Sequence, residues 1–229
     1  MGQSFRAGGP GRTFRAGDEI AAAGEVPDAV LRIESGWVAR IRTLPDGRRQ
    51  ITALYLPGDL CEPHWALGGP PLQCVRALTP VQATAIAPIP DQALAGGRLL
   101  MAAMAQLFER QSEAIVSLGR RTASERLAHL LYGIYLRLAQ SGQCYSRQCA
   151  LPLTQTDLGD LAGLTAVHTN RILQALRARG LIDLRDRWLR IPDPAALRAA
   201  AAWSDDPARP EAPAAAGPTT GAGGGAKAI

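Results

Sequence analysis

Apolar positions change their period twice along this chain. Between Phe14 and about Ile89 they fall in short runs broken by turns. Val30-Leu31-Arg32-Ile33-Glu34 ends in Ser35-Gly36. Trp37-Val38-Ala39-Arg40-Ile41-Arg42 alternates apolar with polar or small residues, the pattern of a half-buried strand. Pro45-Asp46-Gly47 is a strong turn, Ile51 to Leu56 is the returning strand, and Pro57-Gly58-Asp59 closes it. Further strands are expected near Gln73–Ala77 and Val81–Ile86. Strands at this spacing predict a small antiparallel sandwich or barrel.

A helical period takes over from about Gln92 to Leu118. Leu100, Met104, Leu107, Gln111, Ala114 and Leu118 recur at spacings of four and three, a heptad seam in which Gln111 can set register. Met101, Phe108 and Ile115 form a second apolar line. Two lines call for two partners, the chain's own β domain and a twin helix in a homodimer, and the seam is assigned to the dimer. The competing reading is an ordinary buried helix of a monomer. Gly119 to Thr122 reads as a break. Ser124 then opens a helix carrying Leu127, Leu130, Leu131, Ile134, Tyr135 and Leu138, which Ser141-Gly142-Gln143 ends.

The densest signal lies between Thr154 and Ile191. Leu158, Leu161 and Ala162 share one face of a first helix, started by Thr154 and Asp157 at capping-box spacing. Gly163 stops it in the left-handed conformation, and Thr165 caps a second helix whose Val167, Ile172, Leu173 and Leu176 mostly face inward. Gly180 ends that helix. This is a helix-turn-helix, whose second helix lies in the DNA major groove. Leu181 to Leu184 and Trp188 to Ile191 flank Arg185-Asp186-Arg187 as a β-hairpin, the wing. Pro194–Trp203 adds a short helix. From Ser204 the composition collapses to Pro, Ala, Gly and Thr, which cannot bury a core and predicts a disordered tail.

Charge changes the picture at one place. Residues 1–118 hold 11 basic and 11 acidic side chains, whereas residues 119–191 hold 11 basic and 5 acidic. The surplus surrounds the helix-turn-helix, as expected of a protein that meets a phosphate backbone. Groove contacts are expected from Thr165, Ala166, Val167, His168, Asn170 and Arg171. Arg171 can donate twice to guanine, His168 and Asn170 can reach base edges, and Val167 can touch a thymine methyl. Arg185 and Arg187 on the wing are phosphate candidates. No apolar run long enough for a membrane span occurs, and the start Met1-Gly2-Gln3-Ser4-Phe5-Arg6 lacks a signal-peptide core, so a cytoplasmic location is expected. Cys61, Cys74, Cys144 and Cys149 show no zinc-type pairing, and no metal site or cofactor is expected.

A β-roll, a long helix and a winged helix in this order resemble the Crp/Fnr family of bacterial transcription regulators, over about residues 12–203. The likeness is carried by Ser35-Gly36-Trp37-Val38, Pro45-Asp46-Gly47-Arg48-Arg49-Gln50-Ile51, Leu56-Pro57-Gly58-Asp59-Leu60 and Ser124-Glu125-Arg126-Leu127-Ala128-His129-Leu130-Leu131. The two-helix unit and Leu176-Arg177-Ala178-Arg179-Gly180-Leu181-Ile182 complete it. The resemblance implies an α+β chain in four parts: an antiparallel β-roll (double-stranded β-helix or jelly roll, 12–90), a dimerisation helix (91–121), a winged helix-turn-helix (122–203) and the tail (204–229). It also implies a homodimer on a palindromic DNA site that recruits or blocks RNA polymerase, with Thr154 and Thr156, at the first helix's amino end, matching positions where family members bind phosphate. It does not imply an enzyme, and Asp59, Cys61, Glu62 and His64, though close in sequence, lack the spacing of a nucleophile, base and orienter.

The departures bear on the signal. Cyclic-nucleotide-binding members carry Gly-Glu after the Pro-Gly-Asp turn and an Arg-Ser or Arg-Thr pair before the next strand. Here Glu62 and Pro63 stand in the first place, Pro71 and Leu72 in the second, and proline has no N–H to donate. A phosphate buried without its arginine is poorly served, so tight binding of cyclic AMP or cyclic GMP is not expected. The effector is unknown. Asp59, Cys61, Glu62, His64 and Cys74 are the candidate pocket residues. Haem, metal or cysteine redox through the β-roll stands as one alternative, and a ligand-independent regulator controlled by abundance as the other.

Overall fold

A computed structural model describes residues 4–5, 9–68, 70–86, 88–89 and 93–204. It is α+β. Its N-terminal strands are β1 (Ser4–Phe5), β2 (Gly11–Phe14), β3 (Glu19–Ala21), β4 (Val30–Ser35), β5 (Val38–Thr43), β6 (Arg49–Tyr55), β7 (Leu60–Cys61), β8 (Cys74–Ala77), β9 (Val81–Ile86) and β10 (Pro88–Ile89). Apart from the β1–β10 pair they form two antiparallel sheets, ordered β2-β9-β4-β7 and β3-β8-β5-β6. The sheets close on one core that includes Val30, Ile33, Val38, Tyr55, Val75, Val81 and Ala83. β4, β5, β6, β8 and β9 are the strands that the alternation predicts. β2, β3 and β7 are short and carry little apolar alternation to read.

The β5–β6 hairpin is buried on both faces. Val38, Ala53 and Tyr55 point into the roll. Ala39, Ile41 and Ile51 pack outward against Leu161, and Trp37, Leu54 and Leu56 join the C-terminal core. The apolar alternation of Trp37, Ala39 and Ile41 is therefore real, but the surface it covers belongs to the C-terminal half. Arg40, on the other face, turns into the roll to meet Glu62.

α1 (Ala93–Arg120) is one long helix. Here the assignment of the heptad seam needs correction. Leu100 and Leu107, only 6% and 9% exposed, are spent on the chain's own β-roll, with Met104 packed beside them. Gln111 is half-buried, while Ala114 and Leu118 stay exposed. The uncovered apolar line is the second one, Met101, Phe108 and Ile115, exposed by 66%, 68% and 71%. Two apolar lines of equal period cannot be told apart in sequence; the roll takes whichever faces it.

α2 (Ala123–Gln140) begins one residue before Ser124, because Thr122 caps it. The Thr122 hydroxyl accepts from Glu125 N, and the Glu125 carboxylate accepts from Thr122 N, a full capping box. α3 (Gln155–Ala162), α4 (Ala166–Ala178) and α5 (Pro194–Ala200) complete the helices. β11 (Cys144–Tyr145), β12 (Gln148–Ala150), β13 (Asp183–Arg185) and β14 (Trp188–Arg190) form a sheet ordered β11-β12-β14-β13, so the wing hairpin β13–β14 carries two further strands beyond the sequence reading. Leu127, Leu131, Ile134, Leu158, Leu173, Leu176, Leu189 and Ile191 make a single core beneath all of these. Trp203 closes it, stacked on His129 at 4.4 Å and edge-on to Tyr132 at 5.1 Å. The expected tail lies outside the described residues beyond Ser204.

Candidate nucleic-acid interface

The two helices are set by short-range chemistry. The Thr154 hydroxyl accepts from Asp157 N at 3.1 Å, and the Asp157 carboxylate accepts from Thr154 N at 2.9 Å. The shorter acid therefore closes the box as a glutamate does. Gly163 stops α3 at φ 64°, ψ 43°, and the Thr165 hydroxyl accepts from His168 N to start α4. Inside α3, Gly159 lets the next segment come close. A Cβ there would stand 2.6 Å from Leu164 O and 3.1 Å from Thr169 Oγ1. A glycine in the middle of an apolar-periodic helix is the sequence signal of such an approach.

The amino end of α4 projects outward. Thr165, Ala166, Val167 and Arg171 are exposed, and His168 and Asn170 half-buried. Val167 is 83% exposed and does not belong to the core, correcting its place in the inward set; Thr169 takes the inward position. Arg171 Nη2 lies 3.1 Å from His168 Nε2, and Asn170 Nδ2 donates to Gln155 Oε1 at 2.8 Å. Thr156 is exposed on the first turn of α3, beside Thr154, whose hydroxyl serves the cap. Arg185 and Arg187 stand exposed at the wing, Arg185 paired with Asp183 at 2.8 Å.

The charge surplus divides into two uses. Arg126 donates to Ala162 O at 3.0 Å, at the negative end of α3, and Arg177 to Leu184 O at 2.7 Å. Arg121 pairs with Glu113 at 2.7 Å. Arg137 is paired with Asp59 and also donates to Leu54 O at 3.2 Å. Burial pulls its pKa below the ordinary guanidinium value, against the opposing pull of Asp59. These arginines build the module, whereas Arg171, Arg179, Arg185, Arg187 and Arg190 remain exposed on it.

Of the five candidate pocket residues, Glu62 and His64 meet, while Asp59, Cys61 and Cys74 are engaged elsewhere. Asp59 faces the junction, where it accepts from Leu56 N at 2.7 Å, from Arg137 and from Arg110 at 3.4 Å. Cys61 is sealed in the roll core, and burial pushes its thiol pKa well above the ordinary value. Cys74 donates to Glu19 at 3.1 Å; burial, then that carboxylate, pushes it up to about 11. Glu62, 1% exposed, is the centre of a buried polar network. It meets Arg40 at 3.0 Å, the Tyr55 hydroxyl at 2.7 Å and His64 Nδ1 at 3.1 Å. Thr52 links the same network, accepting from Arg40 Nε and donating to Gln73 Oε1. A cavity of about 440 Å³ lies outside the roll, between β6, α1 and α2.

The β-roll and the two-helix unit each match a known family description. Residues 11–88 match the cyclic nucleotide-binding domain, and residues 125–200 the Crp-like helix-turn-helix domain. The nitrogen fixation regulation protein FixK of Rhizobium meliloti is 33% identical over 187 residues, 81% of this chain and 84% of that protein. The chain belongs to the Crp/Fnr family of transcription regulators. Within the Crp/Fnr family, the fumarate and nitrate reduction regulatory protein of Vibrio cholerae is 26% identical over 194 residues, 81% of this chain and 76% of that one. Among solved structures, FixK2 from Bradyrhizobium japonicum superposes with a TM-score of 0.71 at 26% identity, covering 85% of this chain and 98% of that one. The chain is thus a DNA-binding regulator of the Crp/Fnr type. No described helix is long and apolar enough to cross a membrane.

Proposed function

We propose that this regulator works in the cytoplasm as a homodimer, placing two copies of α4 in successive major grooves of a palindromic site, and that it does so without cyclic AMP. The exposed face of α4 carries this reading: Ala166, Val167 and Arg171 stand clear of the core at the end of a capped helix. Arg171 reads guanine, Val167 a thymine methyl, and His168 positions or joins them. The exposed line Met101, Phe108 and Ile115 supports the dimer. Pro71 and Leu72, which stand where cyclic-nucleotide-binding members carry their phosphate-binding pair, support independence from cyclic nucleotides. RNA polymerase is the partner that the family relationship suggests.

The test is binding of purified protein to DNA fragments over a salt series. Binding is expected to weaken steeply as salt rises. Arg171→Ala should cost about 1–3 kcal/mol and relax preference at one position per half-site, whereas Arg187→Ala should weaken all sequences alike. Wild-type binding by both variants at moderate salt overturns the assignment.

A further inference from the structure

The hairpin of β11 and β12 turns through Ser146 and Arg147, both left-handed at φ 47° and 62°. Such a two-residue turn fixes the register: Tyr145 faces Gln148, and Cys144 faces Cys149. In an antiparallel pair the residues flanking the turn exchange hydrogen bonds, and the next pair does not. Cys144 and Cys149 occupy that next pair, where facing Cα atoms are only about 4.5 Å apart and side chains are closest. That separation falls inside the window of roughly 4.4–6.8 Å that a disulfide spans. Both cysteines are thiols in this structure.

We infer that Cys144 and Cys149 form a reversible dithiol–disulfide site within the DNA-binding module, oxidised by a low-molecular-weight disulfide of the glutathione type.

The two sulfurs are not equivalent. Cys144 is half-buried at the sheet edge, while Cys149 is fully enclosed. Burial raises both pKa values, that of Cys149 up to about 12; the neighbouring Cys149 partly offsets the rise at Cys144, whose thiol donates to Tyr135 O at 3.8 Å. Cys144 is therefore the attacking thiol. Its thiolate, having lost its proton to water, attacks one sulfur of the small disulfide. An S–S bond forms to Cys144, and the other half leaves as a thiolate. Cys149 then gives up its proton and attacks Cys144 Sγ, expelling the second small thiolate. Two protein thiols are oxidised, one small disulfide is reduced to two thiols, and the two protons released return to them. The second step is intramolecular and so has a large effective molarity.

The other two cysteines have no such geometry. Cys74 faces Ile41 across the sheet, and Cys61 faces Leu31. The Cys144–Cys149 site also lies next to the wing: β12 pairs with β14, Cys149 facing Leu189. Leu151 N donates to Arg187 O at 2.7 Å, and Ile191 N donates to Arg147 O at 3.0 Å.

The test uses the full chain, reduced and then equilibrated with increasing ratios of glutathione disulfide to glutathione. After acid quench and alkylation in denaturant, mass spectrometry of peptides should show the loss of two hydrogens across Cys144 and Cys149. Cys61 and Cys74 should remain alkylated, and dithiothreitol should restore all four thiols. Cys149→Ser should stop at a glutathione adduct on Cys144, and Cys144→Ser should leave Cys149 unmodified. Two free thiols, or separate adducts on Cys144 and Cys149 in the wild type at the most oxidising ratio, overturn the proposal.

Discussion

Arg137 is the most informative single residue to remove, because its bonds cross from the DNA-binding module to the β-roll. Arg137→Met keeps the length of the aliphatic stem and deletes only the guanidinium. The lost contacts are the pair with Asp59 and the bond to Leu54 O. A charge-assisted hydrogen bond contributes roughly 1.5–3 kcal/mol and a neutral acceptor about 1 kcal/mol. Two facts reduce the sum. The Arg137 and Asp59 side chains are 24% and 16% exposed, so water screens part of the interaction. Asp59 also keeps Leu56 N and Arg110, so it is not left bare. The expected cost is about 2 kcal/mol, below the 3–5 kcal/mol of a fully buried orphaned charge. For a chain of this size that lowers Tm by about 4–8 °C. Thermal and denaturant unfolding of Arg137→Met, Asp59→Asn and the double variant close a cycle, with an expected coupling near 1.5 kcal/mol that persists in high salt. If the two substitutions prove additive to within about 0.5 kcal/mol, the pair does not hold the junction.

Three further outcomes are expected. Phe108→Glu with Ile115→Glu should convert the protein from dimer to monomer in sedimentation and weaken palindromic DNA far more than a single half-site, whereas Leu107→Ala should chiefly lower stability, by about 2–5 kcal/mol, because Leu107 is packed on the roll. Gly159→Ala should destabilise by about 1–3 kcal/mol and impair DNA binding, read by unfolding and anisotropy, since its methyl meets the Leu164 carbonyl. Calorimetric titration with cyclic AMP should give no heat of binding in the micromolar range; a saturable isotherm there would mean that the Glu62 network opens for a nucleotide.

Much of this molecule is legible in its residues. Thr154, Asp157, Gly163 and Thr165 announce both helices of the DNA-binding unit because capping is local chemistry, decided within four residues. The same chemistry was there to read at Thr122 and Glu125, whose spacing marks the start of α2. What sequence hides is which surface an apolar face meets. The face of Trp37, Ala39 and Ile41 covers the other half of the chain, and the seam through Leu100 and Leu107 is consumed by the roll. Arginine is ambiguous for the same reason. Arg126, Arg137 and Arg177 look like Arg171 in composition, yet they bind carbonyls and a carboxylate inside the fold. Asp59 and Glu62, close in sequence, face different compartments.

Arg49 on β6 reaches Asp160 at 2.6 Å and Asp157 at 3.7 Å, so the roll grips the flank of α3. Together with the grip on Asp59, this pins the reading head to its mount at two separate places. A joint braced by two struts keeps one angle. In a symmetric pair of such molecules, the gap between the two reading heads becomes a fixed length, and the number of base pairs separating the half-sites would follow from the bracing and not from the flexibility of a linker.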